Sequence, residues 1–427
     1  MKASGIRTAI ALTAVGLLTV ATGLLVAAAG CGLGTELPPF FAVWDPHVDG
    51  YALLGLPVLL IAIAAAVPLL RGGGGTGTFL AGAFAVALVA RLGLSLIRDG
   101  SDGWYAVFGS DPEAANEYLP ALPAVHSLGL RDFLDRFAEL SPTLPIHPSA
   151  HPPGILVLLE GTGIESARGF AALVILAGTA AVPLTYVLAR RLGLAADRSR
   201  AAALLIAFSP AALLYGVLST DALFATLALV AACLLVGSGL GPWIAGAAAL
   251  AVASFFSWAM LAVGAFAAVV QLLLRGLRPA IAMAAAVALV LAGSYLALYA
   301  ATGFDPLGSV SAAGDAYALG IANARPYLYW LFGSPVAFAV ALGIPTAWYA
   351  ARALGTGNAA AIALAVIVLA AVAIGLTKAE TERIWLFMGP LAAVPAATLV
   401  PLRRMPAICV LLAAQALAAQ VLLDTIW

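Results

Sequence analysis

The feature that most limits this chain is a succession of apolar runs, each near the length of a membrane span. They lie near 8–29, 51–70, 77–97, 168–190, 199–217, 222–238, 241–256, 259–275, 279–300, 331–352, 357–376, 384–401 and 406–423. A helix needs about 20 mostly apolar residues to cross a bilayer. In lipid, each backbone amide must also find its partner inside the segment. The runs therefore predict an all-α polytopic membrane protein with about 13 transmembrane helices. Composition agrees: 63% of residues are hydrophobic and only 9% charged, against roughly 25% charged in soluble domains. Formal net charge is zero, so no basic stripe is available for nucleic acid.

The arginines set the expected sidedness. With the N-terminus inside, the inner segments hold Lys2, Arg7, Arg71, Arg190, Arg191, Arg198, Arg200, Arg275, Arg278, Arg352, Arg403 and Arg404, the positive-inside bias. Asp197 is the one clearly internal acid, and His47, His126, His147 and His151 all fall outside. Basic residues are almost all arginine, with Lys2 and Lys378 the only lysines. Together with abundant Ala and Gly, that usage associates with high-GC bacterial genomes. The expected location is a bacterial plasma membrane, with a cytoplasmic N-terminus and any active site on the outer face. Lys2, Arg7 and the run ending Ala28-Ala29-Gly30-Cys31 resemble a lipoprotein signal, but the aliphatic residue expected three places before the cysteine is absent. An uncleaved first helix is the expectation. Cys233 and Cys409 lie in apolar runs as packing residues, and the cysteine spacing suits no metal.

Residues 1–76 hold the first two apolar runs, and the outer loop 98–167 is too long for a simple connector. Within that loop Leu130, Phe133, Leu134 and Phe137 recur at helical spacing opposite Arg131, Asp132, Asp135 and Arg136, the pattern of an interfacial helix. A second short helix is expected after Pro152 and Pro153. Even extended to Ile164 it reaches only ~16 Å, so it is expected to lie on the outer leaflet rather than cross.

Three polar clusters stand out. Asp111, Glu113 and Glu117 place three carboxylates within seven residues, beside Tyr118. They suit a general base tuned by partial burial, or a cation site; a solvated turn capping a helix from Pro112 is the competing reading. His147-Pro-Ser-Ala-His151-Pro-Pro-Gly154 offers an imidazole to a phosphate or carboxylate, or else is a stiff joint. Lys378, Glu380, Glu382 and Arg383 crowd the bend before Trp385. Arg383 there suits a lipid phosphate, unless the bend is an exposed hairpin with ion pairs of little energetic weight.

Smaller signals are Asp221 after Ser219 and Thr220, Arg325 beside Tyr327, Tyr329 and Trp330, and the loose set Asp45, His47 and Asp49. Arg91 lies inside a span and is expected to snorkel outward to a carboxylate or lipid phosphate, because a central charge costs ~2.5–3.5 kcal/mol. No spacing names a cofactor; a divalent cation is the one the carboxylates would accommodate.

Taken in order, these motifs resemble the membrane glycosyltransferases of the C superfamily (GT-C), especially the protein O-mannosyltransferase and aminoarabinose-transferase group. The resemblance rests on Asn116-Glu117-Tyr118, His151-Pro152-Pro153-Gly154 and Ala189-Arg190-Arg191-Leu192, with a hairpin around Ser209-Pro210 and Thr220-Asp221. It covers roughly residues 77–230, with the remainder similar by topology, and implies a core over 77–427 preceded by two additional N-terminal transmembrane helices in 1–76. The group's usual Asp-Glu pair reads Asn116-Glu117 here, so Glu117 or the displaced Asp111 would be the catalytic carboxylate. The resemblance implies inverting transfer of a sugar from a polyprenyl-phosphate donor to a hydroxyl of a glycan, lipid or protein. Arg383, Lys378, His151 and Arg325 would bind the donor phosphate, and Tyr118, Asp221 and Glu113 would line the substrate vestibule. A transporter or flippase is the alternative from another class, expected to show broken helices and a midplane site. A scaffold without activity would need no convergence of these clusters.

Overall fold

The computed structural model describes residues 2–71 and 75–425; the Lys2 side chain, counted above among the inner cations, lies outside that description. Helices dominate, and the chain has the architecture of an all-α multi-pass membrane protein. Among the described residues, seven continuous helices are long and apolar enough to cross a membrane, and nine spans result if each of two bent pairs counts as one. The runs expected at 222–238, 241–256 and 357–376 form helices of 15, 17 and 16 residues. The run at 384–401 breaks into short pieces that include Thr381–Ile384 and Gly389–Ala397. Sixteen residues rise only ~24 Å, below the ~30 Å of hydrocarbon, which separates these from the longer spans.

The apolar exterior argues for lipid. Only 17% of the spanning window is buried within the protein for the first helix and for Leu277–Thr302. Leu17, Leu18, Leu25, Leu289 and Leu296 stand exposed along them. Apolar faces continuous over so many turns are stable only against hydrocarbon.

The chain divides into two compact units: Met1–Trp104, Val174–Leu229 and Arg325–Trp427 form one, and Tyr105–Leu173 with Val230–Ala324 the other. Residues 1–76, read from sequence as an addition, thus share a unit with part of the expected core. The first unit contains both bends. Helix Ala196–Ala207 turns 55° into Pro210–Leu218, because Pro210 starts a new helix and the Ser209 hydroxyl accepts from the Ala212 N–H. Helix Tyr327–Ala341 turns 117° into Ile344–Gly355. There the Gln415 amide replaces the lost helical bonds, donating to the Val340 carbonyl at 2.7 Å and accepting from the Ile344 N–H at 3.0 Å. Val43–Trp44 pairs antiparallel with Leu423–Asp424, tying the segment after the first helix to the chain's last described turn.

Arg91 departs from expectation. It does not snorkel: the residue is 2% exposed, and Nη1 donates to the Thr179 hydroxyl at 2.9 Å. Its Nε finds no acceptor among the described residues. The guanidinium lies over Gly216, where a β-carbon would come within 2.7 Å of Cζ. A glycine there makes room for an inward-turned arginine, so packing within the unit, rather than a lipid phosphate, receives this charge.

In the second unit, residues 105–166 fold into a string of short helices. The expected amphipathic helix is present but broken at Arg136 into Leu130–Asp135 and Phe137–Leu140. Phe133, Leu134 and Phe137 are buried while Arg131, Asp132, Asp135 and Arg136 are exposed. Helix Gly154–Thr162 has nine residues, too few to cross, as expected. Its first residue must be glycine, since a β-carbon at Gly154 would collide with the Phe255 carbonyl oxygen.

Candidate functional site: two buried polar clusters

The first unit holds a cluster built around the bend 377–383. Ala379 and Glu380 both have left-handed backbones, with φ of 67° and 60°. That conformation costs L-residues roughly 1–2 kcal/mol each, and it turns the chain so that Lys378, Glu382 and Arg383 are all buried. Arg383 Nη1 donates to Asp221 Oδ2 at 3.0 Å and Nη2 to Glu380 Oε2 at 3.1 Å. Asp221 Oδ2 also accepts from the Ser219 hydroxyl at 2.8 Å. Arg325 Nη1 grips the other oxygen of Glu380 at 2.9 Å and the Lys378 carbonyl at 2.6 Å. Burial alone would raise the Glu380 carboxyl, but the Arg383 and Arg325 guanidiniums outweigh it and hold Glu380 below its ordinary value.

The segment after the first helix closes over this cluster. The Phe41 ring lies 4.8 Å beneath the Arg325 guanidinium carbon, and the Trp330 indole N–H donates to the Leu33 carbonyl at 3.1 Å. The Phe41 N–H donates to Glu382 Oε1 at 2.6 Å. Burial pushes the Glu382 carboxyl up to about 7, against the pull of that hydrogen bond.

The second unit holds the acidic cluster. Asp111 is exposed and caps the short helix Pro112–Asn116, its Oδ1 accepting from the Glu113 N–H at 2.8 Å. Glu117 is 2% exposed. His147 Nε2 lies 3.4 Å from Glu113 Oε1 and 3.7 Å from Glu117 Oε1. Tyr118 stacks on His147 with ring centroids 6.5 Å apart and meets Phe170 edge-on at 6.2 Å. Glu113 also accepts from the Asn116 amide at 3.0 Å, so the residue that departs from the usual Asp-Glu pair helps to position a carboxylate.

The sequence-predicted residues therefore sort into two groups. Arg383, Lys378, Arg325 and Asp221 share the first cluster; Glu117, Glu113, Tyr118 and Asp111 belong to the second, Asp111 at its exposed edge. His151 is half-buried and extended just before Pro152, while His147 is the imidazole beside the carboxylates. The bend 377–383 is a buried ion-pair network, not an exposed hairpin. Sequence reasoning placed Glu382 in the bend without a role of its own, and missed Phe41 and the role of His147. A signal for Glu382 existed, because adjacent residues of a helix do not face one another and Glu382 must point away from the Arg383 network.

Among the described residues, no group of three or more His, Cys, Asp or Glu side chains is arranged to hold a metal ion. Exposed His126 forms a separate pair with half-buried Glu160 at 2.9 Å.

Fold and sites together define a multi-pass membrane protein with a buried ion-pair cluster in one unit and a buried carboxylate–histidine cluster in the other. The sequence matches no family model and no curated protein.

Proposed function

We propose that this protein transfers a sugar from a polyprenyl-phosphate donor to an acceptor hydroxyl on the outer face of a bacterial plasma membrane. The observation that carries the reading is Glu117: a carboxylate 2% exposed, with His147 Nε2 at 3.7 Å. In this reading Glu117 removes the proton from the acceptor hydroxyl as it attacks the anomeric carbon, and the single displacement inverts that carbon. Glu113 and His147 orient it. The donor phosphate is assigned, in the first unit, to Arg383 and Lys378, the Arg383 guanidinium being held beforehand by Asp221 and Glu380. The shorter apolar helices complete the crossings to about 13, and the 98–167 loop faces outward.

The test is release of polyprenyl phosphate by the purified protein in nanodiscs, supplied with a panel of polyprenyl-phosphate sugars and candidate acceptors. Release dependent on an acceptor supports transfer. Absence of binding and of release across the panel rules the reading out.

A transporter is the second reading, favoured by the two broken helices of the first unit and by Arg91 buried within a span. Movement of a lipid-linked or small polar substrate across proteoliposomes, without chemical change, would support it instead.

A further inference from the structure

Arg91 is buried inside the spanning helix Thr76–Asp99 and takes no part in the proposed chemistry. Its guanidinium makes one hydrogen bond, from Nη1 to Thr179, and pairs with no carboxylate among the described residues. Nε is fully enclosed, whereas Nη2, also unbonded among the described residues, keeps some accessible surface. A buried cation without a counter-charge is costly, and more so within a membrane span.

The guanidinium lines a cavity of about 10 Å3 in the first unit, the room that one water-sized guest needs. The cavity lies where both broken spans bend. Ser209, Ala211 and Ala212 line it from the first bend, Phe338 and Leu342 from the second. The rest of its wall is glycine, alanine, isoleucine, leucine and proline, with no carboxylate to repel an anion. Helix Pro210–Leu218 begins at the cavity, and the positive end of a helix dipole favours negative charge. In its first turn the Ala212 N–H goes to the Ser209 hydroxyl and the Leu213 N–H to the Ser209 carbonyl. The Ala211 N–H has no acceptor among the described residues, as first-turn donors lack helical partners.

The unsatisfied groups on these lining residues are thus donors. A water there would leave the charge unbalanced and its own hydrogens without acceptors, whereas an anion accepts from each donor and neutralises the arginine. Size excludes phosphate, sulfate and carboxylates. An apolar wall cannot replace the tight hydration of fluoride, so a weakly hydrated halide is favoured. We propose that this cavity binds one chloride ion as the counter-charge of Arg91. The site requires neither sugar transfer nor transport and is tested apart from both.

The experiment is a chloride titration of the full chain in nanodiscs, at constant ionic strength with gluconate as the replaced anion and melting temperature as the readout. Wild type should show a saturable rise with chloride and with bromide, and none with fluoride. Sulfate stabilises folded proteins generally, so its effect should be unsaturated and equal in Arg91→Met. In that variant the half-saturating chloride concentration should rise about tenfold or more, the worth of one hydrogen bond to a charged group. Arg91→Lys, which keeps the charge, should retain part of the response. Ala212→Asp sets a carboxylate at the cavity wall in the first helical turn; in gluconate it should melt as wild type does in saturating chloride, with no halide response. Bromide-soaked crystals of wild type should give an anomalous peak beside Arg91 Nη2. No saturable rise in wild type, a halide response in Arg91→Met or Ala212→Asp equal to wild type, or a water alone beside Nη2 would each overturn the proposal.

Discussion

Arg383 and Asp221, 162 positions apart in sequence, form a buried ion pair at 3.0 Å. The same guanidinium holds Glu380 at 3.1 Å, so one cation bridges two buried carboxylates. Removing it leaves Asp221 uncompensated and Glu380 with Arg325 alone, and breaking a buried pair in this way costs ~3–5 kcal/mol. Arg383→Ala should therefore unfold markedly earlier than wild type in detergent. Arg383→Lys should recover only part, because an ammonium lacks the planar fork that spans two acceptors. An Arg383→Ala protein as stable as wild type would show that the network contributes nothing.

Glu117 and Asp111 separate cleanly. Glu117 is buried beside His147, whereas Asp111 is an exposed cap. On the proposed function, Glu117→Gln lowers transfer by ~10²–10⁴ while donor binding persists, because a general base acts on the chemical step. Asp111→Asn should keep near-normal transfer and stability, since Asn caps a helix about as well as Asp. Rates and donor binding measured on both variants decide it; the reverse pattern would move the base to Asp111.

Glu382 and Glu380 impose opposite pH dependences. Burial lifts the Glu382 carboxyl from 4.5 to about 7 in the folded protein, so the native state holds a proton that the unfolded chain releases. Its stabilising effect is complete below about 4.5 and falls as pH rises to about 7. A shift of that size corresponds to roughly 3 kcal/mol. Glu380 is shifted down; its contribution is present above the unfolded value and is lost as pH falls through the folded one. Melting temperature in detergent should thus decline between pH 5 and 7, on the order of the Glu382 shift, and Glu382→Gln should flatten that decline. An unchanged slope in Glu382→Gln would assign it to another group.

Arg91 and Gly216 should be energetically coupled. A β-carbon at Gly216 would press on the Arg91 guanidinium, and such overpacking typically costs ~1–3 kcal/mol. Gly216→Ala is expected to destabilise wild type by that amount, but much less in an Arg91→Met background, where a flexible side chain replaces the guanidinium. A double-mutant cycle of unfolding free energies measures the coupling. Strict additivity would place the arginine elsewhere.

Much of this protein was legible along the chain, because membrane helices are local structures. The hydrocarbon demands that each segment satisfy its own backbone and expose apolar side chains, so run length and hydropathy determined the helical multi-pass class. Local patterning likewise determined the amphipathic face at Phe133, Leu134 and Phe137, the short helix from Gly154 and the cap at Asp111. Tertiary structure alone decided what depends on partners distant in sequence. The bends at Ser209 and Leu342 shorten spans that hydropathy reads as continuous, and one of them rests on Gln415, over 70 residues away. Arg91 turns inward because Gly216 and Thr179 receive it, a pairing no window of sequence contains. His147 meets Glu113 and Glu117, and Arg383 meets Asp221, through packing of separate elements. Charge in an apolar medium is stabilised by whichever counter-charge the fold brings near, and hydropathy carries no information about that choice.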